Sequence, residues 1–158
     1  MKFHPFAEVF PLLDGAEQEA LIADIEANGL REKIWLYKGK VLDGRNRFLA
    51  CQHAGVKPQY RQFKGDDEAA LALVVSANLQ RRHLTFEQRS LAAARVATLR
   101  KGDNQHTARA ASSQSEAAEK LGVSTDSVQR ARKVIDKGSA ALQKAVESGD
   151  VPLKKAAA

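Results

Sequence analysis

Between Lys101 and Gln114 the chain reads KGDNQHTARAASSQ, a run with almost no large apolar side chain. Such a stretch has little to bury, so it reads as a linker, and the apolar residues on either side must form separate cores. The hydrophobic pattern changes across it. Upstream, short runs with a period of two alternate with helical ones. Downstream every segment is helical, punctuated by Gly122, Gly138 and Gly149-Asp150 with Pro152. The expectation is therefore an α+β chain with an α/β module over residues 1–100, a linker over 101–112 and an all-helical module over 113–158. A length of 158 residues leaves room for both. No repeat of 20–50 residues is present.

In the first module, Leu21, Ile22 and Ile25 sit at helical spacing within 16–28, and Gly29 supplies a left-handed stop. Lys33 to Lys38 alternates as a short strand, and the Lys38-Gly39-Lys40 tip turns it back into KVLD as a hairpin. Asp43-Gly44-Arg45-Asn46-Arg47 then opens a helical run that ends at Gly55, and PQYRQF over 58–63 reads as another strand. Asp66-Asp67-Glu68 marks a helix N-terminus, where acids are favourable. A further helix begins after Thr85, an N-cap with Gln88 in the capping-box position.

The chain carries 25 Lys+Arg against 19 Asp+Glu, a net charge of +6, which invites a polyanion: nucleic acid, nucleotide phosphate or acidic lipid. No apolar run approaches the roughly 18–20 residues that span a bilayer, and no strongly amphipathic basic helix with aromatic anchors favours lipid. The start MKFHPFAEVF lacks the cationic and apolar regions of a secretory signal, and the single cysteine, Cys51, fits a cytoplasmic protein. Divided at residue 100, the two parts hold 15 basic against 12 acidic and 10 against 7, so each is +3. Within 76–101, Arg81, Arg82, Arg89, Arg95, Arg100 and Lys101 face Glu87 alone. That face is either solvated or turned toward phosphate.

The sharpest local pattern is Gln114 to Lys133, QSEAAEKLGVSTDSVQRARK. A helix-turn-helix needs a small residue where its helices touch, a glycine in the turn and apolar residues on the packed faces. Ala118 is the small contact and Gly122 the turn; Ala117, Leu121, Val123, Val128 and Ala131 fall inward. Ser124 is placed as N-cap of the second helix. Thr125, Asp126, Gln129, Arg130 and Lys133 then point outward, with Ser124 beside them. Those groups suit base edges and phosphates, so double-stranded DNA is the expected partner. A helix pair that merely packs has the same backbone.

A glycine between strand and helix, followed by arginines, forms an anion-binding turn, and Gly44-Arg45-Asn46-Arg47 has that form. Some thirty residues on stands Asn78-Leu79-Gln80-Arg81-Arg82-His83-Leu84-Thr85. In order and spacing these two boxes, with the helix-turn-helix after them, resemble the ParB N-terminal domain of the ParB/sulfiredoxin superfamily over nearly the whole chain. The versions here are similar to the phage- and plasmid-associated branch.

The resemblance implies a nucleoside triphosphate, CTP with ATP as the other possibility, bound with Mg2+ as a switch or clamp on DNA. Gly44, Arg45, Asn46, Arg47, Asn78, Gln80, Arg81 and Arg82 would line that site, with Asn78 near the metal. It also implies a nucleoid-associated cytoplasmic homodimer acting in partition or transcriptional regulation. Arg45 stands where the family has a glutamate linked to hydrolysis, and Ala77 where it has a second one near the metal. A weak CTPase is therefore the most that is expected, and no catalytic residue is assigned. The alternative is a superfamily phosphotransferase or nuclease delivered to DNA by the helical module; Asp43 is its available carboxylate. Cys51 falls on an apolar helix face as a structural thiol, and His4, His53, His83 and His106 lack zinc-ligand spacing.

Overall fold

The computed structural model describes residues 1–81, 83–101 and 107–158. They form an α+β chain of two compact units, Met1–Asn78 and Leu79–Ala158.

In the first unit, α1 (Gly15–Asn28) starts where the Asp14 carboxylate accepts the Glu17 N–H at 2.9 Å, and it stops at Gly29 with φ of 72°. The strands β1 (Ile34–Tyr37) and β2 (Lys40–Asp43) form an antiparallel hairpin. Its two turn residues, Lys38 at φ 49° and Gly39 at φ 73°, are both left-handed, as a tight turn matched to strand twist requires. After α2 (Arg45–His53), β3 (Tyr60–Gln62) joins β1 in parallel, giving the order β2-β1-β3. Ile34, Leu36, Val41 and Phe48 form the core on one side of the sheet, with Phe3, Leu30, Leu49 and Tyr60 against them. Alternation puts Trp35 and Tyr37 on the other side, where both meet Phe63 edge-on. A second cluster, Ile25 with Ala50 and Cys51, joins α1 to α2.

The acids ahead of α3 (Asp67–Arg81) do more than favour a helix start. Asp66 accepts the Ala69 N–H at 2.8 Å, as an N-cap does. Asp67 accepts the Tyr37 hydroxyl and the Lys38 ammonium, each at 2.7 Å, and so fastens the head of α3 to the hairpin.

The second unit is helical. Its centre is α4 (Phe86–Lys101), preceded by the reciprocal Thr85–Gln88 capping box at 3.1 and 3.2 Å. Ser90, Leu91, Ala92, Ala93 and Ala94 are all buried, and five consecutive residues cover more than a full turn, so α4 is enclosed on every side over that turn. Around it pack α5 (Thr107–Leu121), α6 (Thr125–Lys137) and α7 (Ala140–Ser148), while the short α8 (Leu153–Ala156) lies on α6 and α7.

Two expectations change. The linker over 101–112 is shorter than its composition suggested, since Thr107 already begins α5; residues 102–106 lie outside the described residues. Small polar residues can extend a helix whose far end is packed, and α5 is anchored by Ala117, Ala118 and Leu121. The division between units falls at Asn78/Leu79 and not at residue 100, because α4 packs with the downstream helices.

The hydrogen bonds from Lys38 and then Tyr37 hold the Asp67 carboxyl below its ordinary value of 3.8. A depressed carboxyl stabilises the fold fully above its unfolded value, and the contribution is lost as pH falls through the folded one. The difference in urea midpoint between the wild type and Asp67→Asn should therefore hold constant from pH 7 to 5. It should shrink below about pH 4, as unfolding titrations at pH 7, 5 and 3 would record.

Candidate functional site

At the first box, Gly44 adopts φ of 100°, and β2 passes into α2 through it. That backbone conformation favours glycine, and a Cβ there would sit 3.0 Å from Arg47 Nη2, so the arginine tip would have to shift. The three following side chains turn inward to the protein. Arg45 Nη2 donates to the Phe10 carbonyl at 2.9 Å, with its guanidinium over the Phe3 ring. Asn46 Oδ1 accepts the Leu13 N–H at 3.1 Å, and the Asn46 carbonyl accepts from Gln18 Nε2 at 3.3 Å. Arg47 donates to Asp43 Oδ2 at 2.9 Å and to Glu32 Oε2 at 2.6 Å. The box thus ties the N-terminal segment and α1 to the sheet, and a phosphate would have to compete with those partners. Asp43, the carboxylate expected for an enzyme, is buried against Arg47.

Of the second box, Asn78 Nδ2 donates to the Val74 carbonyl at 2.8 Å, within its own helix. Leu79, Gln80 and Arg81 end α3, and Arg82 lies outside the described residues. No group of three or more His, Cys, Asp or Glu that could hold a metal exists among the described residues. Mg2+ needs few protein oxygens when phosphates supply others, and the ligand expected here is the single amide oxygen of Asn78, whose Nδ2 bonds back to its own helix. The residues do not make a metal site without the nucleotide.

The basic face expected over 76–101 is not one surface. Arg95 forms a half-buried pair with Glu147 at 2.9 Å, and Gln88 Nε2 reaches the Glu147 carbonyl at 3.1 Å, so both fix α7 to α4. Arg89 is half-buried beside the turn, with Nη1 3.7 Å from where a Gly122 Cβ would be and Nε lacking a hydrogen-bond partner among the described residues. Nothing in the sequence marks Glu147, since its partners lie 52 and 59 residues away.

The pair α5–α6 places its residues as the pattern anticipates. Gly122, at φ 63°, lets its own N–H reach the Glu119 carbonyl at 3.1 Å and the Val123 N–H reach Ala118 at 2.9 Å. That is a Schellman closure, which satisfies the last carbonyls of α5. Ser124 caps α6 by accepting the Ser127 N–H at 3.1 Å. Ala117, Ala118, Leu121, Val128, Ala131 and Val134 are buried, and Val123 is half-buried. Thr125, Asp126, Gln129 and Lys133 are exposed and Arg130 partly so. Two outward cations have partners the sequence reading did not anticipate. Arg130 Nη2 lies 2.6 Å from Asp126 Oδ2, a pair signalled only by its four-residue spacing. Lys133 Nζ donates to the Ala157 carbonyl at 2.5 Å, a contact 24 residues away that no local pattern reveals.

The structural boundary also redistributes the charge. Residues 1–78 carry 10 basic against 11 acidic groups, net −1, and residues 79–158 carry 15 against 8, net +7. The even split obtained at residue 100 is thereby corrected: the whole excess belongs to the helical unit. Elsewhere, Cys51 is fully buried, and burial pushes its thiol up, as for an inert structural cysteine. No described helix is long and apolar enough to cross a membrane.

No family model matches the chain, and no curated protein matches it. Among solved structures it is similar to the crystal structure of the C-terminally truncated chromosome-partitioning protein ParB from Caulobacter crescentus complexed with CTP-gamma-S. The identity is 21% and the TM-score 0.40, over 93% of this chain and 80% of that one. At that score the likeness adds nothing to the residue-level case.

Because Arg47 neutralises buried Asp43, Arg47→Ala should cost about 3 kcal/mol, the order seen when one member of a buried pair is removed. A denaturant titration beside the wild type checks this. Any functional loss in that variant has to be read together with its midpoint.

Proposed function

We propose that the chain is a ParB-like protein that reads duplex DNA through a helix-turn-helix formed by α5, the Gly122–Ser124 turn and α6. The observation that carries this reading is the two-faced α6: Val128, Ala131 and Val134 are buried, while Thr125, Asp126, Gln129, Arg130 and Lys133 look outward. It stands on the unit that holds all of the net positive charge. Amide and guanidinium groups on an outward helix face are the donors and acceptors that major-groove base edges require. A homodimer on a two-fold DNA site, serving partition or transcriptional regulation, is the assembly this reading implies.

A second reading concerns the first unit as a nucleoside triphosphate switch, CTP before ATP, with Mg2+. It is supported by the left-handed Gly44 turn at the opening of α2, a backbone form that suits phosphate. Arg45 and Arg47 would exchange their protein partners for the triphosphate, and Asn46, Asn78, Gln80, Arg81 and Arg82 would complete the set. Bound Mg2+ would neutralise phosphate charge. Asp43, the carboxylate available to the alternative phosphotransferase or nuclease reading, is held by Arg47.

Two measurements test these readings. Arg130→Ala should weaken binding to a selected duplex by about 1–3 kcal/mol and relax the preference at one base pair, as loss of a guanine contact does. Wild-type affinity should also fall steeply with salt. For the first unit, CTP, ATP and GTP are titrated with Mg2+, with and without DNA. The expected outcome is a change in DNA retention that CTP produces most strongly; no change with any of the three removes the switch.

A further inference from the structure

The cations of α6 are engaged by groups of the protein itself, although the face is one offered to a polyanion. Arg130 is paired with Asp126 at 2.6 Å, Arg132 with Asp136 at 3.4 Å, and Lys133 with the Ala157 carbonyl. The first of these stands on the proposed reading face, beside Thr125 and Gln129. Both members are accessible, with side chains 41% and 61% exposed, so the pair contributes little to stability. Its cost to DNA binding is larger, because Asp126 carries a negative charge toward phosphates.

Resting on the reading of α6 proposed above, we infer that Asp126 is a positioning residue that holds Arg130 for a guanine edge and rejects the phosphate backbone. A guanidinium has five N–H donors. Asp126 engages Nη2, which leaves more than the two that guanine N7 and O6 accept. Reading a guanine therefore keeps the ion pair intact. A backbone phosphate carries a full charge beside Asp126 and is repelled by it, so a phosphate contact must break or weaken the pair. The carboxylate also removes rotamers from Arg130 before DNA arrives, lowering the ordering cost of the specific contact. Discrimination thus rises from both sides, by an attraction kept for one base and a repulsion against the generic partner.

A purely structural account of Asp126 exists: it lies in the first turn of α6, where an acid favours the helix dipole. That role would move stability and leave sequence preference alone. The test is a selection from a random-sequence duplex pool with the full chain, its Asp126→Asn and Arg130→Ala variants and the double variant. Titration of each against the selected and the unselected duplex follows, with a thermal melt of every protein. Asp126→Asn should bind the unselected duplex about threefold tighter. Its ratio of selected to unselected affinity should fall roughly tenfold at the guanine that Arg130→Ala also loses. In the Arg130→Ala background the Asp126 substitution should have no further effect on that ratio. An unchanged ratio in Asp126→Asn overturns the inference while leaving DNA reading intact. So does loss of a cytosine preference with the guanine retained, which makes Asp126 itself the reader. If the wild type enriches no sequence at all, the reading of α6 falls, and the inference with it.

Discussion

The helical unit depends on the smallness of α4. A helix with Ala92, Ala93, Ala94 and Ala97 buried around its circumference can be approached on every side by other helices. In a close-packed interior a single larger side chain at such a position costs about 1–3 kcal/mol. Its neighbours α5, α6 and α7 all pack on it. The orientation of α6, and with it the direction in which Thr125, Gln129 and Arg130 face, follows from that enclosure. The polar groups on α4 serve the same end: Ser90 and Thr98 bond back to their own helix, while Gln88 and Arg95 fasten Glu147 of α7.

The two units use arginine in opposite ways. In the first, Arg45 and Arg47 are built into the fold, one closing on a backbone carbonyl and the other neutralising buried Asp43. In the second, Arg130 remains accessible and is balanced by Asp126 on the same helix. Net charges of −1 and +7 on the two units follow the same division of labour. Sequence motifs count both kinds of arginine alike; their partners separate them.

Local order was legible where short-range chemistry decides it. The Lys38-Gly39 hairpin, the Thr85–Gln88 box, the Gly29 stop, the Ser124 cap and the inward face of α6 all rest on neighbours within a few residues. What escaped was decided by distant partners. Arg95 reads as a phosphate-facing cation until Glu147 is beside it, and Lys133 as a free one until Ala157 is. Thr107 to Ser112 read as linker because small residues carry no period, although a packed C-terminal end suffices to make them helix. Buried alanines in α4 give no amphipathic pattern to detect, which is why its basic residues looked like the face that mattered.

The Gly122 turn closes on backbone atoms alone, with the carbonyls of Ala118 and Glu119 answered by Val123 and Gly122. Together with the Ser124 cap and the buried Val128, Ala131 and Val134, this makes α6 independent of what it displays. On the DNA-reading proposal, Thr125, Asp126, Gln129 and Arg130 form an address written on a plate whose fastenings lie elsewhere. On that proposal, descendants of this chain would rewrite the address one residue at a time and still fold, and reach new targets without passing through unfolded intermediates.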